Sequence, residues 1–186
     1  MIGFAMCGSF CTHAAALSVL TKLTAKYDVL PILSYAASAT DTRFGKAADL
    51  YSRLKALTGH DPVTRIEDAE PLGPSRPLDA LVVCPCTGNT LSKLASAITD
   101  TPVTMACKAH LRCDRTLLLA LASNDAMAGN LSNIGTMLCR KSVFFVPMKQ
   151  DDVVSKPHSL VADFSLVPEA LEAAMAGRQL RPLFLS

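Results

Sequence analysis

Ala80-Leu81-Val82-Val83-Cys84, followed at once by Pro85-Cys86-Thr87-Gly88-Asn89-Thr90, is the stretch on which the fold turns. A strand with one wet face alternates polar and apolar side chains. An unbroken apolar run rich in valine therefore reads as a strand covered on both faces. The run stops at Pro85, and a helix is expected over Thr90–Ile98. Working outward, Met1–Cys7 is a similar run ending at Gly8-Ser9, with helical periodicity from about His13 to Lys26. Val29–Leu33 is another buried strand, ending at Ser34. An amphipathic helix over Lys46–Leu57 leads into the turn Gly59-His60-Asp61-Pro62. A Pro- and Gly-rich connection lies between Arg65 and Pro77. Beyond the central run, Thr116–Leu121 and Val143–Val146 repeat the strand pattern, separated by a helical stretch around Met127–Cys139. Glu169–Ala176 is a last helix, ended by Gly177 as a C-cap. Strands alternating with helices at this spacing predict a three-layer α/β/α architecture, Rossmann-like or flavodoxin-like, with a mostly parallel sheet. The expected organisation is one domain over residues 1–186, with a C-terminal helix and tail from about 167.

Composition narrows the class. Half of the residues are hydrophobic and 18% are charged, enough apolar material for a large core and too little charge for a disordered chain. The formal net charge is +2 and the Lys and Arg residues are scattered, so no phosphate-tracking surface for nucleic acid is visible. No apolar run reaches the roughly 20 residues of a membrane helix. No Lys or Arg precedes the apolar start, which argues against a signal peptide. A mean hydropathy of +0.30 suggests apolar surface shared between subunits, and a homo-oligomer is expected. The cysteines (Cys7, Cys11, Cys84, Cys86, Cys107, Cys113, Cys139) form no C-x-x-C pair. Cys84 and Cys86 are expected on one face of their strand. Core thiols in a reducing cytosol account for them better than a zinc site on Cys86 and a histidine. A cytoplasmic location follows as the expectation.

In a doubly wound sheet, ligands bind outside the carboxyl ends of the strands, where strand order reverses. The residues just after each apolar run are therefore the candidates: Gly8 and Ser9, Ser34, Thr87 to Thr90, and Ser123 with Asn124. The first turn, Gly8-Ser9-Phe10-Cys11-Thr12, lacks both the G-x-G-x-x-G fingerprint and the P-loop pattern. One glycine with hydroxyls beside a helix start suits a single phosphate, and it suits an ordinary capped turn equally well. After the central strand, Thr87 and Thr90 can cap a helix. There Gly88 would leave space for a flat ring or phosphate, and Asn89 offers a donor and an acceptor to a heterocycle edge. Ser123-Asn124-Asp125 reads as capping or as ligand contact. Arg43, in Thr40-Asp41-Thr42-Arg43-Phe44-Gly45-Lys46, can fork onto a carboxylate or remain a solvated loop arginine. Lys93 and Arg112 are further cation candidates for an acidic substrate, with Lys108 and Lys156 behind them. His60 and His110 read as turn histidines, and no Ser-His-Asp arrangement is supported by the spacing.

These segments resemble the dipicolinate synthase B-subunit family. The resemblance is carried by Gly3-Phe4, Gly8 to Thr12 and Thr40 to Ala47. It continues through Ala69-Glu70-Pro71-Leu72-Gly73-Pro74, Pro85 to Thr90 and Thr99-Asp100-Thr101-Pro102-Val103. Lys108 to Arg112, Ser123-Asn124-Asp125, Gln150-Asp151-Asp152 and Lys156 to Ala162 complete it, in order, over nearly the whole chain. Cys113 and Val153 stand where that family is expected to carry Asn and Pro. The family is in turn similar to the homo-oligomeric flavin-containing cysteine decarboxylases, whose members bind FMN between subunits of a trimer. Asn89 and Thr90 match the end of the decarboxylases' Pro-Ala-Ser-Ala-Asn-Thr segment. Asn124 and Met127 match the spacing of their Pro-x-Met-Asn-x-x-Met segment, without its prolines and first methionine. No clear counterpart of their catalytic histidine is present.

The resemblance implies an oxidoreductase component that acts during sporulation in the cytosol of the mother cell. Together with the dipicolinate synthase A subunit, which uses NADP, it oxidises dihydrodipicolinate, a small dicarboxylate, to dipicolinate. It also implies an FMN pocket and a trimer or multiple of trimers. Two other functions stand beside this one. One is a non-catalytic, ligand-binding or structural component with a vestigial flavin site; the other is a flavin-dependent decarboxylase.

Overall fold

The computed structural model describes residues 1–186. It opens with β1 (Ile2–Met6), a 3-10 turn (Phe10–Thr12), α1 (His13–Thr24), β2 (Val29–Leu33), α2 (Tyr35–Ala39), α3 (Ala47–Thr58) and α4 (Ile66–Ala69). The middle is β3 (Ala80–Cys86), α5 (Gly88–Ala95), α6 (Pro102–Leu111), β4 (Thr116–Ser123) and α7 (Leu131–Leu138). The chain closes with β5 (Val143–Phe145), β6 (Met148–Asp152), β7 (Lys156–Ala162), a 3-10 turn (Phe164–Leu166) and α8 (Val167–Met175).

Strands β2, β1, β3, β4 and β5 lie side by side in that order, all parallel. This is the flavodoxin-like order, with its reversal between β1 and β3. Alternate side chains explain the two cores. Ile2, Phe4 and Met6 of β1, with Val82 of β3 and Leu118 of β4, face α1, α3 and α8. Ala5, Leu81, Val83 and Leu119 face the other way, against Leu91, Val103, Cys107 and Ile134 of the opposite helices. Each face of the sheet is thus closed by its own helix layer, which is why the strands read as unbroken apolar runs. No helix is long and apolar enough to cross a membrane.

Several elements differ from the sequence reading. Strand β3 does not stop at Pro85 but continues through Cys86. The register against β4 shifts between Val83 and Cys86. An irregularity of this kind changes the side-chain parity. Cys84 consequently enters the core beside α1 and Cys86 the core beside α6, rather than both sharing one face. Helix α6 is an element the sequence did not announce; Thr101 caps it by accepting from the N–H of Thr104 at 3.1 Å, and Pro102 opens it. Equally unannounced is the antiparallel hairpin of β6 and β7. It pairs with the last residues of β4 (Ala122 with Val161, Ser123 with Leu160), while the first half of β4 pairs with β5. Gly177, at φ 71, follows α8 in the left-handed conformation expected of a helix stop.

Candidate functional site

Three contacts draw the strand-end turns together. The N–H of Ser34 donates to the carbonyl of Met6 at 3.0 Å, joining the turns after β2 and β1. The N–H of Cys7 donates to the carbonyl of Pro85 at 3.1 Å, joining β1 to β3. Between β3 and β4 the approach is closer still. A Cβ on Gly88 would lie 2.3 Å from Ser123 Oγ, 2.7 Å from Asn130 Nδ2 and 2.8 Å from Asp125 Oδ1. The turns bearing Gly8, Ser9, Ser34, Thr87, Gly88, Asn89, Thr90, Ser123 and Asn124 therefore share one edge of the sheet, at the strand-order reversal.

Their side chains have divided duties. Ser34 caps α2, its Oγ accepting from the N–H of Ala37 at 3.3 Å. Thr87 caps α5, accepting from the N–H of Thr90 at 3.2 Å. The buried Thr90 hydroxyl donates to Cys7 Sγ. Ser123 donates to Asp125, which also accepts from Asn130 Nδ2 at 2.9 Å. Asn130 Oδ1 in turn accepts from Ser92 at 2.8 Å and from Asn133 at 3.0 Å. The Ser123 bond, with that of Asn130, holds the Asp125 carboxyl below the usual range. The missing Cβ of Gly88 thus admits this polar network rather than the flat ring or phosphate expected of that glycine.

What remains free is a smaller set. The N–H groups of Gly8 and Ser9 find no acceptor within the chain, and the Ser9 hydroxyl makes no cap bond. Asn89 is exposed at the start of α5 without an internal partner, and Asn124 is exposed with a 3.5 Å contact from Ser159 Oγ. Two unpaired backbone donors, a hydroxyl and the start of α1 form a donor set that suits an anion such as a phosphate. His13 donates from Nε2 to the Cys7 carbonyl at 2.8 Å, which pins this turn to α1. Burial holds His13 below its ordinary value, against the opposing effect of that bond. Sequence reading missed His13, although its place at the first position of α1 marked it.

The three cation candidates take separate places on the fold. Arg43 stacks on the exposed ring of Phe44, 4.8 Å from its centroid, in the loop before α3. Beside that loop is an open cleft of about 210 Å³ lined by Phe10, His13, Thr42, Phe44, Lys46 and Arg53 among others. Lys93 sits in the last turn of α5 and pairs with Asp100 at 2.8 Å, beyond the helix end. Arg112 caps the far end of α6, just before β4 begins, and pairs with Glu70 at 3.1 Å. Helix α6 carries the chain back toward the start of β4, so Arg112 lies by the amino ends of the strands, away from the crevice.

Comparison with known proteins agrees with this architecture. Residues 1–154 match the family model described as Flavoprotein. The chain is 40% identical over 185 residues to the dipicolinate synthase B subunit of Bacillus subtilis (strain 168), covering 99% of this chain and 92% of that one. The crystal structure of the dipicolinate synthase B subunit from Bacillus halodurans C superposes with a TM-score of 0.91 at 37% identity, over 100% of this chain and 95% of that one. The FMN-dependent cysteine decarboxylase SpaF shares the fold, with a TM-score of 0.68 at 24% identity over 93% and 95% of the two chains. A match of 154 residues, with a relative 40% identical along almost the whole length, places this chain in the Flavoprotein family, among the dipicolinate synthase B subunits.

Proposed function

We propose that the chain works as the B subunit of a two-protein dipicolinate synthase, holding FMN at the carboxyl edge of its sheet. In this reading an A subunit carrying NADP is the partner, and dihydrodipicolinate is oxidised to dipicolinate in a reducing cytosol. The chain acts as a homo-oligomer, a trimer or multiple of trimers. The observation that carries the reading is the convergence of the turns after β1, β2, β3 and β4, which leaves the N–H groups of Gly8 and Ser9 unpaired. Their donors and the Ser9 hydroxyl would hold the phosphate, and Asn89 and Asn124 would offer amide groups to the ring edge. When bound, FMN supplies a two-electron acceptor for hydride, chemistry that side chains do not carry. Thr87, Thr90 and the Ser123–Asp125–Asn130 network position the turn on which Asn89 stands.

A second reading has its own support. The side chains left free at this edge are hydroxyls and amides, while His13 Nε2 is engaged by the Cys7 carbonyl and the Asp125 carboxyl is held low by Ser123 and Asn130. A protein that binds ligand while the A subunit performs the whole reaction fits that inventory as well. One experiment separates them: both proteins are mixed with dihydrodipicolinate, with and without FMN and NADP, and dipicolinate absorbance is followed. The redox reading expects product only with both chains, and less of it when FMN is stripped. Full turnover by the A subunit alone would refute a catalytic part for this chain.

A further inference from the structure

A second cleft, of about 390 Å³, lies between the end of α5, one face of α6 and the chain beyond α7. Leu94, Ile98 and Leu111 supply apolar surface, and Lys108, Arg112 and Arg140 supply three cations; no carboxylate lines it. Thr104, Lys108, Leu111 and Arg112 lie along one face of α6, at the spacing that places side chains in register on a helix. Arg140 reaches in from the opposite wall, donating to the carbonyl of Ala95 at 3.2 Å. Within the chain Arg112 has one half-exposed partner, Glu70, and Lys108 has none.

The wall carries a second unusual feature. Helix α5 ends with the N–H of Ala97 donating to Leu94 at 3.2 Å and that of Ile98 to Lys93 at 2.8 Å. This double closure ordinarily places glycine in the left-handed position, yet Ala97 occupies it at φ 58. That conformation belongs to the helix stop; what points to a ligand is the concave cluster of like charges, which focuses its field on an anion.

We propose that this cleft is a second binding site, separate from the crevice, for a small organic dianion of the dicarboxylate class. The three cations recognise the two carboxylates, with the arginines able to do so through paired N–H donors. The apolar surface accounts for an organic body between them, which inorganic phosphate lacks. Nothing in this assignment depends on flavin binding.

Calorimetric titration of the whole chain with benzene-1,3-dicarboxylate, a rigid planar dianion that is neither substrate nor product of the proposed reaction, tests it. Saturable binding is expected at one molecule per chain, tighter than inorganic phosphate. It should weaken about tenfold or more in Lys108→Ala and in Arg140→Ala, roughly what losing one charge-assisted hydrogen bond costs. Asn89→Ala, in the crevice, should leave it unchanged. Circular dichroism checks that the variants are folded, and hydrogen exchange should show new protection across residues 94–112. Four results would overturn the proposal. The first is no saturable binding, and the second is binding lost in Asn89→Ala but kept in the cation variants. The third is phosphate binding as tightly. The last is a changed oligomeric state in Lys108→Ala with no binding to wild type, which would make the cleft a contact between copies of the chain.

Discussion

The hydroxyl of Thr90 donates to the sulfur of Cys7 across 3.3 Å, fastening the first turn of α5 to the end of β1 at the floor of the crevice. Burial pushes the Cys7 thiol up to about 11, outweighing the Thr90 bond that favours the thiolate. Cys84, Cys86 and Cys107 are also buried and likewise raised. Because the thiolate is the reactive form, native protein at neutral pH should react with a thiol reagent first at the exposed Cys11 and Cys139. Peptide mass spectrometry after a short exposure reads the order, and early modification of Cys7 would contradict this packing.

Gly88 and Gly135 make a matched pair. A Cβ on Gly88 would run into Ser123, Asn130 and Asp125, whereas one on Gly135, inside α7, meets nothing within 4 Å. Gly88→Ala should therefore lose about 1–3 kcal/mol by overpacking. Gly135→Ala should gain about 0.5–1 kcal/mol by helix propensity. Urea unfolding of both variants gives the signs, and equal effects would show that the β3 and β4 turns are not pressed together.

Ala97 offers a gain at a stressed position. Its φ of 58 closes α5 where glycine is the residue without a steric cost. Ala97→Gly should raise stability by about 1 kcal/mol, the lower end of what a left-handed conformation costs an L-residue. An unchanged or lower midpoint in thermal unfolding would argue that the residue is not strained.

His110 fixes a pH dependence. It is fully buried, donates from Nε2 to the carbonyl of Thr116 at 2.8 Å, and its Nδ1 has no partner. Burial lowers its folded value, with the Thr116 bond opposing and Arg115 adding to the lowering. A histidine held below its unfolded value costs no stability while both states are neutral. Stability is lost as pH falls through the unfolded value of about 6.5, because only the unfolded chain then takes up the proton freely. Denaturation midpoints should fall below that pH, and less steeply in His110→Gln. His13, lowered as well, leaves a residual slope of the same sign.

The parallel core was legible because each strand is buried on both faces, so Val29–Leu33 and Ala80–Cys84 could not be mistaken for wet edges. What escaped was set by contacts distant in sequence. Pro85 reads as a stop, yet β3 continues to Cys86 beyond it, pairing with Leu121. The hairpin residues Lys149 to Asp152 carry no apolar alternation; they become a strand because β7 pairs with them and with the end of β4. The crevice residues were found by one rule, the end of each buried run. No such rule places Arg112 or Lys93, whose positions depend on where α5 and α6 finish. Capping also hid in plain residues: Ser34 and Thr87 read equally well as ligand groups, and only the acceptor bonds to Ala37 and Thr90 show what they do for the fold.

Titrating the purified chain with FMN and with riboflavin, and following flavin fluorescence, bears most directly on the cradle at Gly8 and Ser9. FMN should bind at one per chain and riboflavin at least about tenfold more weakly, since only FMN brings a phosphate to unpaired N–H donors beside a helix start. Equal affinity for the two flavins, or none for either, would mean that the converging turns do not hold a mononucleotide.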